Sequence, residues 1–264
     1  YQYADYVGLI ENSIKTRWNS GALTDFQGQT CHYKDVARKI EKLHILFENA
    51  GVVRGDRIAI CGRNSAHWAI AFLATLTYGC VAVPILHEFK AEQVHNIVNH
   101  SEARLLFAGD YVWPTLTPDE MPGIEGIIHM PDFALKVSRS ERLSEARARL
   151  NEFFGRKYPE RFTADDVHYV PQPDGEVLCM INYTSGSTGN PKGVMIPYRA
   201  LWSNYQFAIE VLGSTCKSGD RVVSMLPMAH MYGMAFEFLF EFLHGIHIHF
   251  LNRLPSPKII VQAF

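Results

Sequence analysis

"RIAICGRNSAHWAIAFLATLTYGCVAVPI", Arg57 to Ile85, places a short apolar run at each end of an apolar, helix-forming segment. The runs "RIAIC" and "CVAVPI" are unbroken rather than alternating, which is the pattern of strands buried on both faces. Between them, "SAHWAIAFLATLTY" contains neither glycine nor proline and stops at Gly79, a helix-terminating residue. Asn64 stands where a capping residue is expected. A strand, a helix and a second strand in so short a span predict a parallel sheet covered by helices.

The same alternation extends outward. Upstream, Asp5 to Trp18 reads as a helix, "ALTDFQGQTCHY" as two short strands around a Gln-Gly turn, and Lys34 to Ala50 as a helix closed by Gly51. Downstream come a helix from Lys90 to Ser101 and the strands "RLLFAG" and "GIIHM". Pro131 to Pro173 departs from the rhythm, with one charged helix in "SERLSEARARLNEFFGRKYP" and a connector in "PQPDGE". The alternation then resumes with the strand "VLCMINY", a polar loop, a helix from Tyr198 to Leu212, "RVVSML", a helix from Met231 to Leu243, and the strand "IHIHFL". The fold class is α/β, with mainly parallel sheets flanked by helices. Residues 55–212 are expected to form one subdomain carrying the polar loop, and residues 1–54 with 213–264 part of another.

Composition narrows the function classes. The chain has 264 residues, 47% of them hydrophobic, enough for a large core. A net charge of -2 and a pI near 6.7 exclude the basic stripe of a nucleic-acid binder. Five scattered cysteines without a C-x-x-C pair argue for reduced thiols and a cytoplasmic location rather than a disulfide frame or a zinc site. No signal peptide is visible at the start. The run "MYGMAFEFLFEFL" is shorter than the roughly 20 residues a membrane span needs. It also carries Glu237 and Glu241, so it reads as a core helix. The chain opens on Tyr1 and stops in "PSPKIIVQAF", which reads as a helix beginning, so a fragment is expected.

The polar loop lies in "INYTSGSTGNPKGVMIP", Ile181 to Pro197. Gly186, Gly189 and Gly193 permit positive φ and close backbone approach. Successive N–H groups in such turns make an anion-binding concavity. Thr184, Ser185, Ser187 and Thr188 add hydroxyls, and Lys192 adds a mobile cation suited to phosphate. A flexible linker has similar composition, but does not call for a buried strand immediately before it and "PKGVMI" immediately after. A Walker loop is excluded, because Pro191 replaces the glycine before the lysine and Gly193 replaces the metal-binding hydroxyl after it. A polyphosphate cradle at the end of a sheet remains.

"YTSGSTGNPKGVM", Tyr183 to Met195, resembles the signature of the adenylate-forming superfamily, which holds acyl-CoA synthetases, peptide-synthetase adenylation domains and firefly luciferase. "MLPMAHMYG", Met225 to Gly233, is similar to its next core motif. "GVVRGDRIAICGRNSAHWAIAFLATLTYGCVAVPI" resembles its N-terminal region. Bacterial long-chain fatty acid–CoA ligases look nearest. The resemblance implies that Thr184, Ser185, Gly186, Ser187, Thr188 and Gly189 wrap the β- and γ-phosphates of ATP, that Lys192 neutralises them, and that the Thr184 hydroxyl helps hold Mg2+. It implies that His230 sits near the acyl carboxylate and the pocket entrance, gating or positioning rather than transferring a proton. The implied reaction activates a fatty acid as acyl-AMP and passes it to coenzyme A. Loading an amino or aryl acid onto a carrier protein, or a non-catalytic nucleotide-binding module, are the alternatives. A homodimer and loose peripheral membrane association are both compatible with this, although no amphipathic basic helix supports the latter. The family's remaining magnesium ligand, its ribose-binding aspartate and its C-terminal domain are expected beyond Phe264, so this polypeptide is expected to be inactive alone.

Other polar clusters carry less. His247 and His249 share a strand face without an acidic or cysteine partner nearby in sequence and are expected to be a structural pair. His95 and His100, five apart on a helix, do not share a face. Asp165 and Asp166 read as a solvated turn, and the arginines of "SERLSEARAR" as a solvated helix face.

Overall fold

The computed structural model describes residues 2–184, 190–251 and 257–263. Helix α1 (Tyr6–Thr16) leads into strands β1 (Gly21–Asp25) and β2 (Thr30–His32), and then into helix α2 (Tyr33–Ala50). The opening unit of the sequence follows as β3 (Arg57–Cys61), α3 (Ala66–Tyr78) and β4 (Val81–Ile85). Next come α4 (Ala91–His100), β5 (Leu105–Ala108), β6 (Gly126–His129), β7 (Leu135–Ser138), α5 (Glu141–Ala148) and α6 (Leu150–Lys157). The chain continues through β8 (Leu178–Tyr183), β9 (Gly193–Pro197), α7 (Tyr198–Leu212) and β10 (Arg221–Ser224). It closes with α8 (Met231–Met234), a π turn (Ala235–Leu239), α9 (Phe240–His244), β11 (His247–Phe250) and α10 (Pro257–Ala263).

The strands form two sheets. The larger has the order β7-β6-β5-β3-β4-β8-β9, parallel throughout except for the edge strands β7 and β9. The smaller has the order β10-β11-β1-β2, in which β1 pairs parallel with β11 and antiparallel with β2. Helix α3 packs against β1 of one sheet and against β3 and β4 of the other. That position explains its apolar sequence, since a helix covered on all sides has no face to leave polar. Trp68 and Phe72 on α3 stack at 5.5 Å, and Phe72 meets Phe238 of the π turn at 6.0 Å. At the edge where the parallel strands begin, Arg104 reaches Asp56 at 2.7 Å and Glu125 at 3.0 Å, tying the entries of β3, β5 and β6 together.

Five local expectations are corrected. Ser65, not Asn64, caps α3, accepting the Trp68 N–H at 3.0 Å. The charged helix of residues 141–157 breaks at Arg149 into α5 and α6, and β7 lies in the stretch read as irregular. The apolar "VMI" after the loop belongs to β9, so the loop joins two antiparallel strands rather than a strand and a helix. The helix expected from Met231 to Leu243 is interrupted by the π turn.

Candidate functional site

Strands β3, β4, β5, β6 and β8 run parallel and therefore end on one edge of the sheet, the usual place for a ligand in an open α/β sheet. Tyr183 ends β8 and pairs with Gly193 at the start of β9. Its hydroxyl is hydrogen-bonded to His100 Nδ1 on α4 at 2.8 Å. Its ring lies so close beneath Gly193 that a Cβ there would come within 2.9 Å of Tyr183 Cζ and 2.6 Å of Ile181 Cγ2. The hairpin thus fixes both ends of the loop, and Thr184 and Lys192 emerge from neighbouring strands at its mouth. Both are exposed, and among the described residues Lys192 has no ion pair. Thr184, Asn190 and Pro191 border a cleft of about 60 Å³ against Gln93 and Asn96 of α4. Ser185, Gly186, Ser187, Thr188 and Gly189 lie outside the described residues.

His230 is exposed and begins α8, where its Nδ1 accepts the N–H of Tyr232 at 3.2 Å and, among the described residues, Nε2 has no partner. The loop before it is held from three directions. Asn64 Nδ2 donates to the Leu226 carbonyl at 2.7 Å and its Oδ1 accepts the Met228 N–H at 2.8 Å. Asn182 on β8 donates to the Ala229 carbonyl at 3.2 Å. Glu237 Oε1 accepts the N–H groups of Met225 and Leu226 at 2.7 and 3.2 Å. The Asn182 bond therefore ties the strand leading into the polar loop to the residue preceding His230.

Asn64, Asn182, Glu237 and the Tyr183–His100 pair are the residues that sequence reasoning missed. Signals existed for two of them. Asparagine is disfavoured in strands, so Asn182 needed a reason to be in "VLCMINY". A carboxylate in an apolar run needs a partner, so Glu237 did too.

The weaker clusters resolve as structure. His247 and His249 lie with ring centroids 4.3 Å apart, and His247 Nε2 is hydrogen-bonded to Thr24 Oγ1 at 2.7 Å. Burial, followed by His249, Arg221 and His32, pushes the His247 pKa down to about 4. His95 accepts the Thr117 N–H at 3.0 Å. Asp166 accepts the Thr163 N–H at 2.8 Å, capping a turn. Arg149 pairs with Glu145 and Glu152, whereas Arg147 turns inward to the Phe133 carbonyl at 2.7 Å.

A triphosphate fits the chemistry at the hairpin mouth, where an ammonium and a hydroxyl without partners among the described residues stand on a fixed frame. Thr184 offers a single oxygen to a metal ion. Among the described residues, no group of three or more His, Cys, Asp or Glu could hold one. Magnesium is commonly carried by substrate phosphates and water with few protein ligands, so the two observations agree. Among the described residues, no helix is long and apolar enough to cross a membrane.

Residues 10–264 match the family model described as AMP-binding enzyme. The chain is 28% identical over 209 residues to long chain acyl-CoA synthetase 3 of Arabidopsis thaliana, covering 78% of this chain and 31% of that protein. It is 28% identical over 240 residues to fatty acyl-CoA synthetase A of Dictyostelium discoideum, covering 85% of this chain and 33% of that one. It is also 29% identical over 225 residues to long-chain-fatty-acid–CoA ligase FadD15 of Mycobacterium bovis, covering 84% and 34%. The chain thus matches about a third of the length of these curated relatives. In fold it is similar to the N-terminal domain of FACL13 from Mycobacterium tuberculosis, with TM-score 0.74, 20% identity, and 98% of this chain and 60% of that one covered. The anthranilate CoA ligase AuaEII gives TM-score 0.77 at 20% identity, with 98% and 47% covered.

Proposed function

Because the chain belongs to the AMP-binding enzyme family, we propose that it is the ATP-binding part of an enzyme that activates a fatty acid as its coenzyme A thioester. In the first step a carboxylate oxygen attacks the α-phosphorus of ATP, and the bond to pyrophosphate breaks, leaving acyl-AMP. In the second step the coenzyme A thiol attacks the acyl carbonyl, gives up its proton, and expels AMP. The first step needs stabilisation of the charge that builds on the pyrophosphate, which a preorganised cradle and a cation supply. Magnesium, when bound, would be held from this chain by the Thr184 hydroxyl and would supply positive charge against the developing pyrophosphate.

The roles are those that the resemblance of the two sequence motifs implies. Thr184, Ser185, Gly186, Ser187, Thr188 and Gly189 wrap the β- and γ-phosphates, Lys192 neutralises them, and the Thr184 hydroxyl assists the metal. His230 positions the acyl carboxylate with its Nε2, held in place by the Asn64, Asn182 and Glu237 bonds. Residues 55–212 form the subdomain carrying the loop, and residues 1–54 with 213–264 belong to another, a division the two sheets support. Five free cysteines accord with a cytoplasmic setting, where thiols stay reduced.

The observation that carries the proposal is the β8–β9 hairpin, which presents Thr184 together with Lys192, without an ion pair among the described residues, at the ligand edge of the sheet. Its test uses the full-length protein with Mg-ATP, coenzyme A and a panel of carboxylic acids, and identifies the nucleotide product. AMP and pyrophosphate, dependent on a fatty acid and lost in Lys192→Ala, are expected. This polypeptide alone should be inactive. ADP and phosphate would overturn the chemistry, and turnover with aryl or amino acids only would overturn the substrate class.

A further inference from the structure

Helix α2 carries three cations toward one concavity. Arg38, Lys39 and Lys42, with Asp25 at the end of β1 and His67 in the first turn of α3, line a cavity of about 410 Å³. The acids there are already engaged. Asp25 Oδ1 accepts the Ala66 N–H at 2.8 Å, and Asp35 Oδ2 accepts the His32 N–H at 2.8 Å and lies 3.2 Å from His32 Nδ1. Lys39 Nζ donates instead to His67 Nε2 at 2.8 Å, and His67 Nδ1 donates to the Met130 carbonyl at 2.7 Å. The ring that accepts the ammonium is therefore neutral and compensates none of its charge. The Arg38 guanidinium and the Lys42 ammonium lie 4.7 and 5.3 Å from the Phe154 ring centroid, and Lys42 donates to Asn151 Oδ1 at 3.2 Å. Among the described residues, none of the three cations forms an ion pair.

We propose that this cavity is a second anion site, which takes a phosphate-bearing small molecule and shares no residue with the hairpin mouth. Its volume falls within the roughly 300–1,000 Å³ of small-molecule sites. Lysine and arginine heads left without carboxylates are the groups that pair with phosphate oxygens. Asp25 and Asp35 keep their charges, so with His67 neutral the three cations leave the lining one positive charge in excess, three against two. Consistent with that excess, burial first and then Arg38, Arg147 and Lys39 hold the Lys42 pKa below its ordinary value. Burial and then Lys39 do the same to His67.

The test is titration of the protein with inorganic pyrophosphate, read by calorimetry and by mass-spectrometric acetylation of Lys39 and Lys42. Both readouts are made in Lys192→Ala, which removes the hairpin-mouth cation. Pyrophosphate should bind this variant and slow acetylation at both lysines. Lys39→Met and Lys42→Met, which keep the apolar stems, should each weaken that binding by about tenfold, the loss of one charge-assisted contact. Loss in either variant without a change in its urea midpoint supports a binding role. No binding to Lys192→Ala, or equal acetylation with and without pyrophosphate, overturns the inference and leaves the proposed reaction untouched. Protection by phosphatidylglycerol vesicles but not by pyrophosphate overturns it as well, in favour of a membrane contact.

Discussion

Asn64 is buried at 6% exposure, and both ends of its amide are used by the loop that presents His230. Asn64→Ala should lower stability by about 2 kcal/mol, because a buried N–H loses its partner. Urea unfolding measures this, and a cost below a few tenths of a kcal/mol would mean that the loop is held by other bonds. At the other motif, Tyr183→Phe and His100→Ala remove the two sides of one hydrogen bond. A double-mutant cycle should give a coupling of about 1 kcal/mol. Additive effects would show that the pair is incidental. The roles of these residues were partly hidden in the sequence for a physical reason. In "GRNS" both Asn64 and Ser65 have short side chains that can cap a helix. Only the position of the distant Leu226 and Met228 backbone decides which of them does so.

The β8–β9 hairpin depends on a residue without a side chain. Gly193→Ala would push a methyl group against Ile181 and Tyr183 at the distances given above, and should cost about 1–3 kcal/mol, the range for overpacking. Gly123→Ala, where nothing lies within 4 Å, serves as the neutral control. Equal unfolding midpoints for the two variants would show that the hairpin can relax around a methyl group. The parallel strands were readable because burial on both faces leaves unbroken apolar runs. Strand β9 was not, since it is an edge strand whose Gly193, Val194 and Met195 are exposed, which erases any alternation. The π turn was also invisible. Its extra backbone residue leaves the apolar character of "AFEFL" unchanged while setting Glu237 beneath the loop it caps.

Across the whole molecule, stability is expected to fall toward both acid and alkali. Burial pushes the pKa values of His44 and His247 down to about 4, against about 6.5 in an unfolded chain. Between these values the unfolded state binds more protons, so stability present above about pH 6.5 is lost as pH falls toward 4. Glu241 behaves oppositely. It is 4% exposed, its Oε2 has no partner among the described residues, and burial, reinforced by the neighbouring Glu237 charge, raises its pKa to about 8. Here the folded state binds the extra proton from about pH 4.3 upward. Stability therefore declines as pH rises toward 8. Glu241→Gln should gain on the parent by an amount that grows between about pH 5 and about pH 8, reaching the order of a few kcal/mol. Urea midpoints at the two pH values measure the gain, and a constant difference would place the Glu241 titration elsewhere.

The smaller sheet joins Leu23 of β1 to Ile248 of β11, strands separated by about 225 residues of sequence. A ribosome adds roughly 5–20 residues per second, so β1 waits on the order of ten to forty seconds for its parallel neighbour. Throughout synthesis it carries an open edge and the apolar Ala22 and Leu23, both fully buried once the sheet closes. The larger sheet has a head start, because β3 to β6 lie between residues 57 and 129. A nascent chain of this sequence should therefore recruit protection at β1, and release it only when β11 leaves the exit tunnel.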